Sequence, residues 1–487
     1  MPFFGYGSLV QREYADGNNM SIQFNEEKTR AKTRHQFWRR GVKLLNIALL
    51  TVPFAICWYL YYAERIVLPF FRKGNWYIIL FFAVMYAIFC RIYGALHVST
   101  SRISELVYSQ SLSALLADFV LYLVSILLRR HLQHVWPFIP VILTQVALAA
   151  AWSLYTHRTY FAKNKPQTTM VVWDMRQGLE KLVNSYGMEK RFNVVDTPHV
   201  KDVVDHLDTL DEAEVVFLCG IHSHERNIII KHCVAHHIHV YVIPRIGDVI
   251  MDAAKPVNFF HLPMMSLERS NPSPEYMVVK RVFDIALSGL GLILFSPVMG
   301  VIALLIRRDG GTVLYRQKRL TKDGKVFEVL KFRSMRMDAE KDGVARLSTG
   351  ERDPRVTPVG RVIRACRLDE LPQLWNILVG DMSFVGPRPE RPEIAAAYQR
   401  ILPEFALRLQ VKAGLTGYAQ VYGKYNTTPY DKLLLDLRYI SRPSLAEDFK
   451  ILLATVKILF LPESTEGVEE DSITALEQEV REKAGQE

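Results

Sequence analysis

The sequence predicts a membrane protein of mixed class: an N-terminal four-helix transmembrane bundle, a small central α/β domain with a parallel sheet, and a C-terminal mixed α/β domain carrying a fifth apolar helix. Three observations predict it. Four apolar segments each approach the ~20 residues a helix needs to cross a bilayer. Four short β-rich runs then alternate with helical stretches, the pattern of a parallel sheet. Beyond them, the apolar stretch Val282–Ile306 precedes a region dense in charged, proline-bearing and glycine-bearing motifs.

A chain of 487 residues suggests about three domains. Its formal charge of +10 suits anionic lipid or a phosphorylated substrate, and part of it is the basic bias of cytoplasmic membrane flanks. Nucleic acid ranks last as a partner, because no zinc-knuckle spacing, RNA-binding signature or basic heptad is present. The cysteines Cys57, Cys90, Cys219, Cys233 and Cys366 are scattered without metal or redox spacing and read as free thiols. The polar N-terminus lacks the apolar core of a signal peptide.

The first domain, residues 1–165, opens with a basic leader holding Lys28, Arg30, Lys32, Arg34, Arg39, Arg40 and Lys43. Apolar segments follow near Leu44–Tyr62, Trp76–Leu96, Leu106–Leu128 and Val135–Tyr155. A basic leader favours a cytoplasmic start, and four spans return the chain to that side at Arg158, Lys163 and Lys165. Asp118 lies inside the third segment; such a lone carboxylate marks an ion path or, more commonly, faces neighbouring helices.

The second domain, residues 166–271, has strands expected at Met170–Trp173, Phe192–Val195, Val215–Leu218 and Val240–Ile243. The turn after the first strand, Asp174-Met175-Arg176-Gln177-Gly178, lacks the glycine fingerprint of a dinucleotide site, so a regulatory or packing role is expected. His222, His224, His232, His236, His237 and His239 crowd this domain. His232 and His236 stand four apart and share a helix face, but no third ligand stands at convincing spacing, which favours packing or surface roles.

The third domain, residues 272–462, begins after the linker Ser270-Asn271-Pro272-Ser273-Pro274. Its apolar helix, residues 280–306, is flanked by Lys280-Arg281 and Arg307-Arg308 and interrupted by Ser296-Pro297. Two readings are open: a proline-kinked fifth span, or a helix that enters, breaks at Ser296-Pro297 and returns to the same face. Leu445–Leu461 reads as an interfacial helix or a core helix. The acidic stretch from Glu463 to Glu487 reads as a disordered tail.

Between Leu314 and Gln420 lie Arg316-Gln317-Lys318-Arg319, Lys331-Phe332-Arg333-Ser334-Met335, Asp353-Pro354-Arg355, Arg367-Leu368-Asp369-Glu370-Leu371-Pro372 and Gly386-Pro387-Arg388-Pro389-Glu390. Asp369 and Glu370 sit before Pro372, a residue suited to a first helical turn, whose positive end favours both acids staying ionised. Ionised carboxylates bind Mg²⁺ or attack phosphorus, and neighbouring Arg and Lys grip a diphosphate. Pro387 and Pro389 hold Arg388 on a stiff turn. An acidic pair in a basic cradle is what phosphoryl transfer at a diphosphate needs.

At these residues the sequence resembles the bacterial sugar transferase family of monotopic polyprenyl-phosphate sugar-1-phosphate transferases. The likeness rests on Lys280-Arg281-Val282-Phe283-Asp284, the Ser296-Pro297 break, Lys331-Phe332-Arg333-Ser334-Met335, Leu368-Asp369-Glu370-Leu371-Pro372-Gln373-Leu374, Gly380-Asp381-Met382-Ser383, Val385-Gly386-Pro387-Arg388-Pro389 and Gly414-Leu415-Thr416-Gly417. The four spans and the central domain resemble its long form, with a Rossmann-like module. The resemblance implies a re-entrant helix, a catalytic domain on the cytoplasmic face of the bacterial inner membrane, and a homodimer. It also implies Asp369 as nucleophile toward a UDP-sugar, by preference a UDP-hexose, with UMP leaving, and Glu370 with Asp369 as holders of Mg²⁺. Undecaprenyl phosphate would then take the phosphosugar, the first step of exopolysaccharide, capsule or O-antigen assembly. Arg388, Pro387, Lys331, Arg333 and Arg316 are expected around the phosphates, and Ser296 and Pro297 at the membrane break. The rival reading is a non-catalytic membrane scaffold that binds nucleotide sugars.

Overall fold

The computed structural model describes residues 40–65, 73–270, 272–308, 310–337, 355–423 and 428–459. Most of the basic leader, Asn271, Asp309, the Asp353-Pro354 pair and the acidic tail lie outside the described residues. Two compact units emerge: one runs to Gln167 and includes Glu180–Asn193, and the other comprises Thr168–Leu179 and the chain from Val194 onward.

Four helices of the first unit are long and apolar enough to cross a membrane: α1 (Arg40–Tyr62), α2 (Gly74–Tyr93), α3 (Ile103–Arg129) and α4 (Phe138–Lys163). In hydrocarbon, apolar helices gain little by touching one another, so buried hydrogen bonds and close packing must join them. One buried chain does so here. The Tyr86 hydroxyl donates to Asn46 Oδ1 at 2.9 Å, Asn46 Nδ2 to Gln110 Oε1 at 3.1 Å, and Gln110 Nε2 to Ala95 O at 3.1 Å and Ser153 Oγ at 3.3 Å. All four helices are thereby tied. Asp118 is buried within the bundle, 2% exposed.

The α/β module has four strands, β1 (Gln167–Trp173), β2 (Phe192–Asp196), β3 (Val215–Cys219) and β4 (His239–Val242), in the order β2-β1-β3-β4. β1 pairs in parallel with β3, and β3 with β4. Met170, Val172, Val216 and Leu218 point into a core shared with Val200, Val203 and Ile229 on one face, and Val171 and Val215 are buried on the other, so β1 and β3 read as continuous apolar runs. The helices of the module are α5 (Leu179–Ser185), α6 (Val200–Asp205), α7 (Ser223–Ala235) and α8 (Ile246–Asp252). An antiparallel hairpin, β5 (Lys255–Phe259) with β6 (Leu262–Ser266), follows.

The module docks on the C-terminal region within one unit. Val249 of α8 joins the core of Phe405, Leu433 and Leu437, and Arg176 grips Asp431 with both terminal nitrogens at 2.7 and 2.8 Å. The C-terminal region itself holds α9 (Pro274–Arg308), β7 (Leu314–Leu320), β8 (Val326–Phe332), α10 (Pro358–Ala365), α11 (Gln373–Val379), β9 (Ser383–Val385), α12 (Pro392–Ile401), β10 (Gly414–Thr416), α13 (Tyr418–Tyr422), α14 (Pro429–Ser441) and α15 (Leu445–Leu459). α15 buries Ile451 and Ala454 in the domain, so one face of this stretch is core.

α9 differs from the other apolar helices. It is helical throughout its 35 residues, Pro297 included, so the expected break is not an interruption of helical structure. Pro297 has no N–H for the carbonyl of Ile293, and the Ser296 hydroxyl donates to that carbonyl at 2.8 Å instead. Only 11% of its most apolar stretch is buried, against 33 to 39% for α1 to α4. Both flanks of the helix touch the C-terminal domain. On one side Arg281 donates to Ile377 O and Leu378 O, both at 2.7 Å, and Asp284 Oδ1 accepts from Phe384 N at 3.0 Å. On the other, Ile302 and Ile306 pack against Phe332 and Ile363. Between the flanks, residues 293–298 are exposed without exception.

Candidate active site

The site is framed by a hairpin that borrows a side chain as its third strand. β7 and β8 pair antiparallel with Lys331 opposite Tyr315, which leaves the outer edge of β8 with unpaired backbone groups. Asn376, on α11, supplies them. Its Oδ1 accepts from Leu330 N at 2.9 Å and its Nδ2 donates to Glu328 O at 2.8 Å. Val329, Leu374, Ile377 and Met382 pack beneath this junction, so β8 and the start of α11 are held in fixed register. Lys331 on the one and Glu370 just before the other therefore meet.

The acidic pair occupies a single 3₁₀ turn, Leu368–Glu370, entered through Arg367 in a left-handed conformation at φ 52°. Glu370 Oε1 accepts from Lys331 Nζ at 3.1 Å and from Arg388 Nη2 at 3.0 Å. Burial works to raise the Glu370 carboxyl, but Lys331, Arg388 and Arg367 outweigh it and hold the group well below the usual carboxylate range. Asp369 behaves in the opposite way. Burial, then the negative charge of Glu370, push it up to about 6 against the pull of Lys331, Arg364 and Arg388. The helix end expected to favour ionisation of both acids does not offset burial at Asp369. α11 is only seven residues long, and the two cations closest to the pair are spent on Glu370. Among the described residues, the Asp369 carboxylate makes no side-chain hydrogen bond.

Arg388 is carried by a loop pinned by close backbone approach. β9 and β10 pair in parallel. Past β9, Gly386 N donates to Thr416 O and Gly414 N to Pro387 O, both at 2.9 Å. A Cβ on Gly386 would stand 2.4 Å from Lys412 O, and one on Gly414 would stand 2.1 Å from Gly386 N. Neither neighbour is a flexible side chain, so only glycine fits. Gly414→Ala is expected to force these strands apart and destabilise the domain by roughly 1–3 kcal/mol, the usual cost of overpacking. Thermal denaturation in detergent checks this, and an unshifted melting temperature would contradict it.

Behind the loop lies a second charged cluster. The Arg388 carbonyl accepts from Arg408 Nη2 at 2.9 Å, and Arg408 Nε donates to Asp436 Oδ2 at 2.9 Å. Arg408 and Asp436 are 3% and 1% exposed, so this ion pair is out of water. Glu390 Oε1 accepts from Lys432 Nζ at 2.6 Å and lies 3.5 Å from Arg408 Nη1. Burial alone would raise Glu390, yet Lys432, Arg408 and Arg319 bring it down to about 2. Arg319 donates to Pro389 O at 3.0 Å, and burial lowers it to about 10.

The structure brings together Asp369, Glu370, Lys331 and Arg388, with Pro387 preceding Arg388 on the pinned loop. It places two other sequence-predicted residues elsewhere. Arg333 is buried and donates through Nη2 to Ile306 O at 3.1 Å, closing the last turns of α9. Arg316 stands on an exposed face of the hairpin, 3.5 Å from Glu328 Oε2. Sequence reasoning missed Asn376, Arg408, Asp436 and Lys432; Arg319 and Glu390 were quoted within motifs but given no role.

The family model of the bacterial sugar transferases matches residues 275–462. A UDP-glucose:undecaprenyl-phosphate glucose-1-phosphate transferase of Caulobacter vibrioides is 41% identical over 204 residues, 40% of this chain and 76% of that protein. The chain belongs to the bacterial sugar transferase family. Two longer relatives are also similar. The UDP-N-acetylgalactosamine-undecaprenyl-phosphate N-acetylgalactosaminephosphotransferase of Aeromonas hydrophila is 38% identical over 231 residues, 47% of this chain and 53% of that protein. The UDP-glucose:undecaprenyl-phosphate glucose-1-phosphate transferase of Escherichia coli is 41% identical over 201 residues, 40% of this chain and 43% of that protein. Against these two sugar transferases the chain spans about half of the relative's length or less. The matched segment contains α9, the acidic pair and the Arg388 loop, and with its N-terminal apolar helices the chain has the long form of the family.

Proposed function

We propose that this protein transfers a sugar 1-phosphate from a UDP-sugar to undecaprenyl phosphate and releases UMP, opening the assembly of an exopolysaccharide, capsule or O-antigen. The observation that carries the reading is the division of labour in the acidic pair: Glu370 is locked between Lys331 and Arg388, while Asp369 beside it has no hydrogen-bond partner among the described residues. An unengaged carboxylate next to paired cations is placed to attack phosphorus. In the first displacement an Asp369 oxygen bonds the β-phosphorus, the bond from that phosphorus to the bridging oxygen breaks, and UMP leaves with the electron pair. In the second, an oxygen of undecaprenyl phosphate bonds the same phosphorus and Asp369 leaves as carboxylate. Lys331 and Arg388 offer charge-assisted hydrogen bonds to the diphosphate, at the cost of loosening their hold on Glu370.

The donor set fits Mg²⁺. Burial, then the negative charge of Glu370, raise Asp369 to about 6, which a divalent cation would relieve, and both carboxylates offer the hard oxygen ligands this ion takes. Bound by Asp369 and Glu370, Mg²⁺ would neutralise diphosphate charge as the two negative groups approach.

In the same reading α9 is re-entrant. A transmembrane span would carry the domain at one end only, whereas both flanks of α9 rest on this domain and residues 293–298 stand clear of it. That pattern suits a helix dipping into one leaflet with Ser296-Pro297 at its deepest point, and basic pairs at both ends suit one face. The domain then faces the cytoplasm, where nucleotide sugars are, and a homodimer belongs to the same proposal. The named relatives act on glucose and on N-acetylgalactosamine, so the donor is a UDP-hexose or a UDP-N-acetylhexosamine, with hexose preferred.

The test is UMP release by the full chain in detergent, with undecaprenyl phosphate, Mg²⁺ and a panel of UDP-sugars. One donor is expected to release UMP in an acceptor-dependent way. Silence across the whole panel would leave the scaffold reading standing. Labelling of Met335→Cys from the periplasmic side would overturn the orientation.

A further inference from the structure

Among the histidines of the α/β module, two converge on one carboxylate that the sequence spacing did not reveal. α7 ends at Ala235, with His232 in its last turn and His236 as its C-cap, so the two rings project from the same face with centroids 4.1 Å apart. Asp211 comes from a separate 3₁₀ turn, Leu207–Glu212, that leads into β3. Its Oδ1 lies 2.9 Å from His232 Nε2 and 2.6 Å from His236 Nδ1. The three donor atoms lie within 4.8 Å of one another.

We propose that Asp211, His232 and His236 form a binding site for one first-row divalent transition ion, zinc or a similar metal, that braces the α/β module. Two imidazoles and a carboxylate from two elements make a three-ligand set with the remaining positions open to water. Bonds of 2.0–2.2 Å place tetrahedral ligand atoms about 3.3 Å apart, so the carboxylate–imidazole distances of 2.9 and 2.6 Å need to open by about 0.4 and 0.7 Å to admit the ion. The side chain of His232 is 12% exposed, which fixes its ring, while those of His236 and Asp211 are 45% and 41% exposed and leave a way in. Nitrogen donors select against Mg²⁺ and Ca²⁺, which take oxygen, so the site is chemically separate from the acidic pair. Without a metal, both rings donate N–H to the one Asp211 oxygen; with a metal, Nε2 of His232 and Nδ1 of His236 present lone pairs and the ring protons sit on the opposite nitrogens. The ion would tie the turn ahead of β3 to the helix after it.

The experiment uses the full chain in detergent, stripped with a chelator and titrated with Co²⁺ as a coloured probe. With excess Mg²⁺ present to occupy the Asp369–Glu370 pair, one Co²⁺ per chain is expected, with visible absorption that Zn²⁺ abolishes. His232→Gln with His236→Gln should weaken binding at least tenfold, and Asp211→Asn should also weaken it, while His224→Gln with His239→Gln should not. The proposal is overturned if Co²⁺ does not saturate at one site, if Mg²⁺ displaces it, or if the His232/His236 double variant binds as the native chain does. A folded state retained by that variant, read from its unchanged circular dichroism, separates loss of ligands from loss of fold.

Discussion

Asp369→Asn is expected to lower UMP release by about 10³-fold or more, the scale of losing a covalent nucleophile. The amide keeps the shape of the side chain but has no anionic oxygen to form the ester. Glu370 is a poor substitute, because Lys331 and Arg388 both hold its Oε1. Lys331 and Arg388 are untouched, so any loss of donor affinity should be confined to what the weakened Mg²⁺ site contributes. The same substitution should raise the melting temperature. The fold pushes the Asp369 carboxyl up to about 6, so its ionisation above that pH opposes folding, and a neutral amide removes the opposition. Loss of activity with gain of stability is a signature that a merely structural carboxylate would not give. Incubation with a UDP-sugar labelled in its β-phosphate, without lipid acceptor, should leave label on the native protein and none on the variant. Full turnover by the variant would remove Asp369 from the mechanism.

What the sequence disclosed and what it hid follow from the range of each interaction. The central strands β1 and β3 were visible because parallel strands buried on both faces are apolar runs, the edge strands β2 and β4 because short β-rich runs stand out between helical stretches, and β1 to β4 fall on Met170–Trp173, Phe192–Val195, Val215–Leu218 and Val240–Ile243 to within a few residues. The hairpin β5–β6 was not. Each strand carries a proline, and its turn places Phe260 and His261 at φ 55° and 64°, where sequence rules expect glycine or asparagine. The acidic pair was legible because its residues are adjacent. The basic residues were not separable by motif: Lys331 and Arg333 stand two apart, yet β8 ends at Phe332 and Arg333 turns to α9. Asn376 reads as an ordinary helical residue until a strand edge is laid against it. Asp211 stands 21 residues before His232, a separation at which no spacing rule pairs them.

The buried pair of Arg408 and Asp436 carries the second large effect. Charges taken out of water are costly, and removing one partner leaves the other uncompensated, at about 3–5 kcal/mol. Arg408→Met should therefore destabilise the domain by that amount, whereas Arg408→Met with Asp436→Leu should recover most of it, because an apolar pair of similar volume needs no compensation. Stability and turnover should then part company. The double variant regains its fold, but the carbonyl of Arg388 has lost the Arg408 Nη2 donor, and Glu390 keeps only Lys432 and Arg319. UMP release should stay at least tenfold down, with KM for the donor raised more than kcat is lowered if Arg388 binds the diphosphate. Denaturation curves and steady-state kinetics on the single and double variants read the two effects separately. Recovery of both by the double variant would make this cluster packing alone; recovery of stability without turnover makes Arg408 a positioning residue for the Arg388 loop, acting through a backbone oxygen that no side-chain motif could announce.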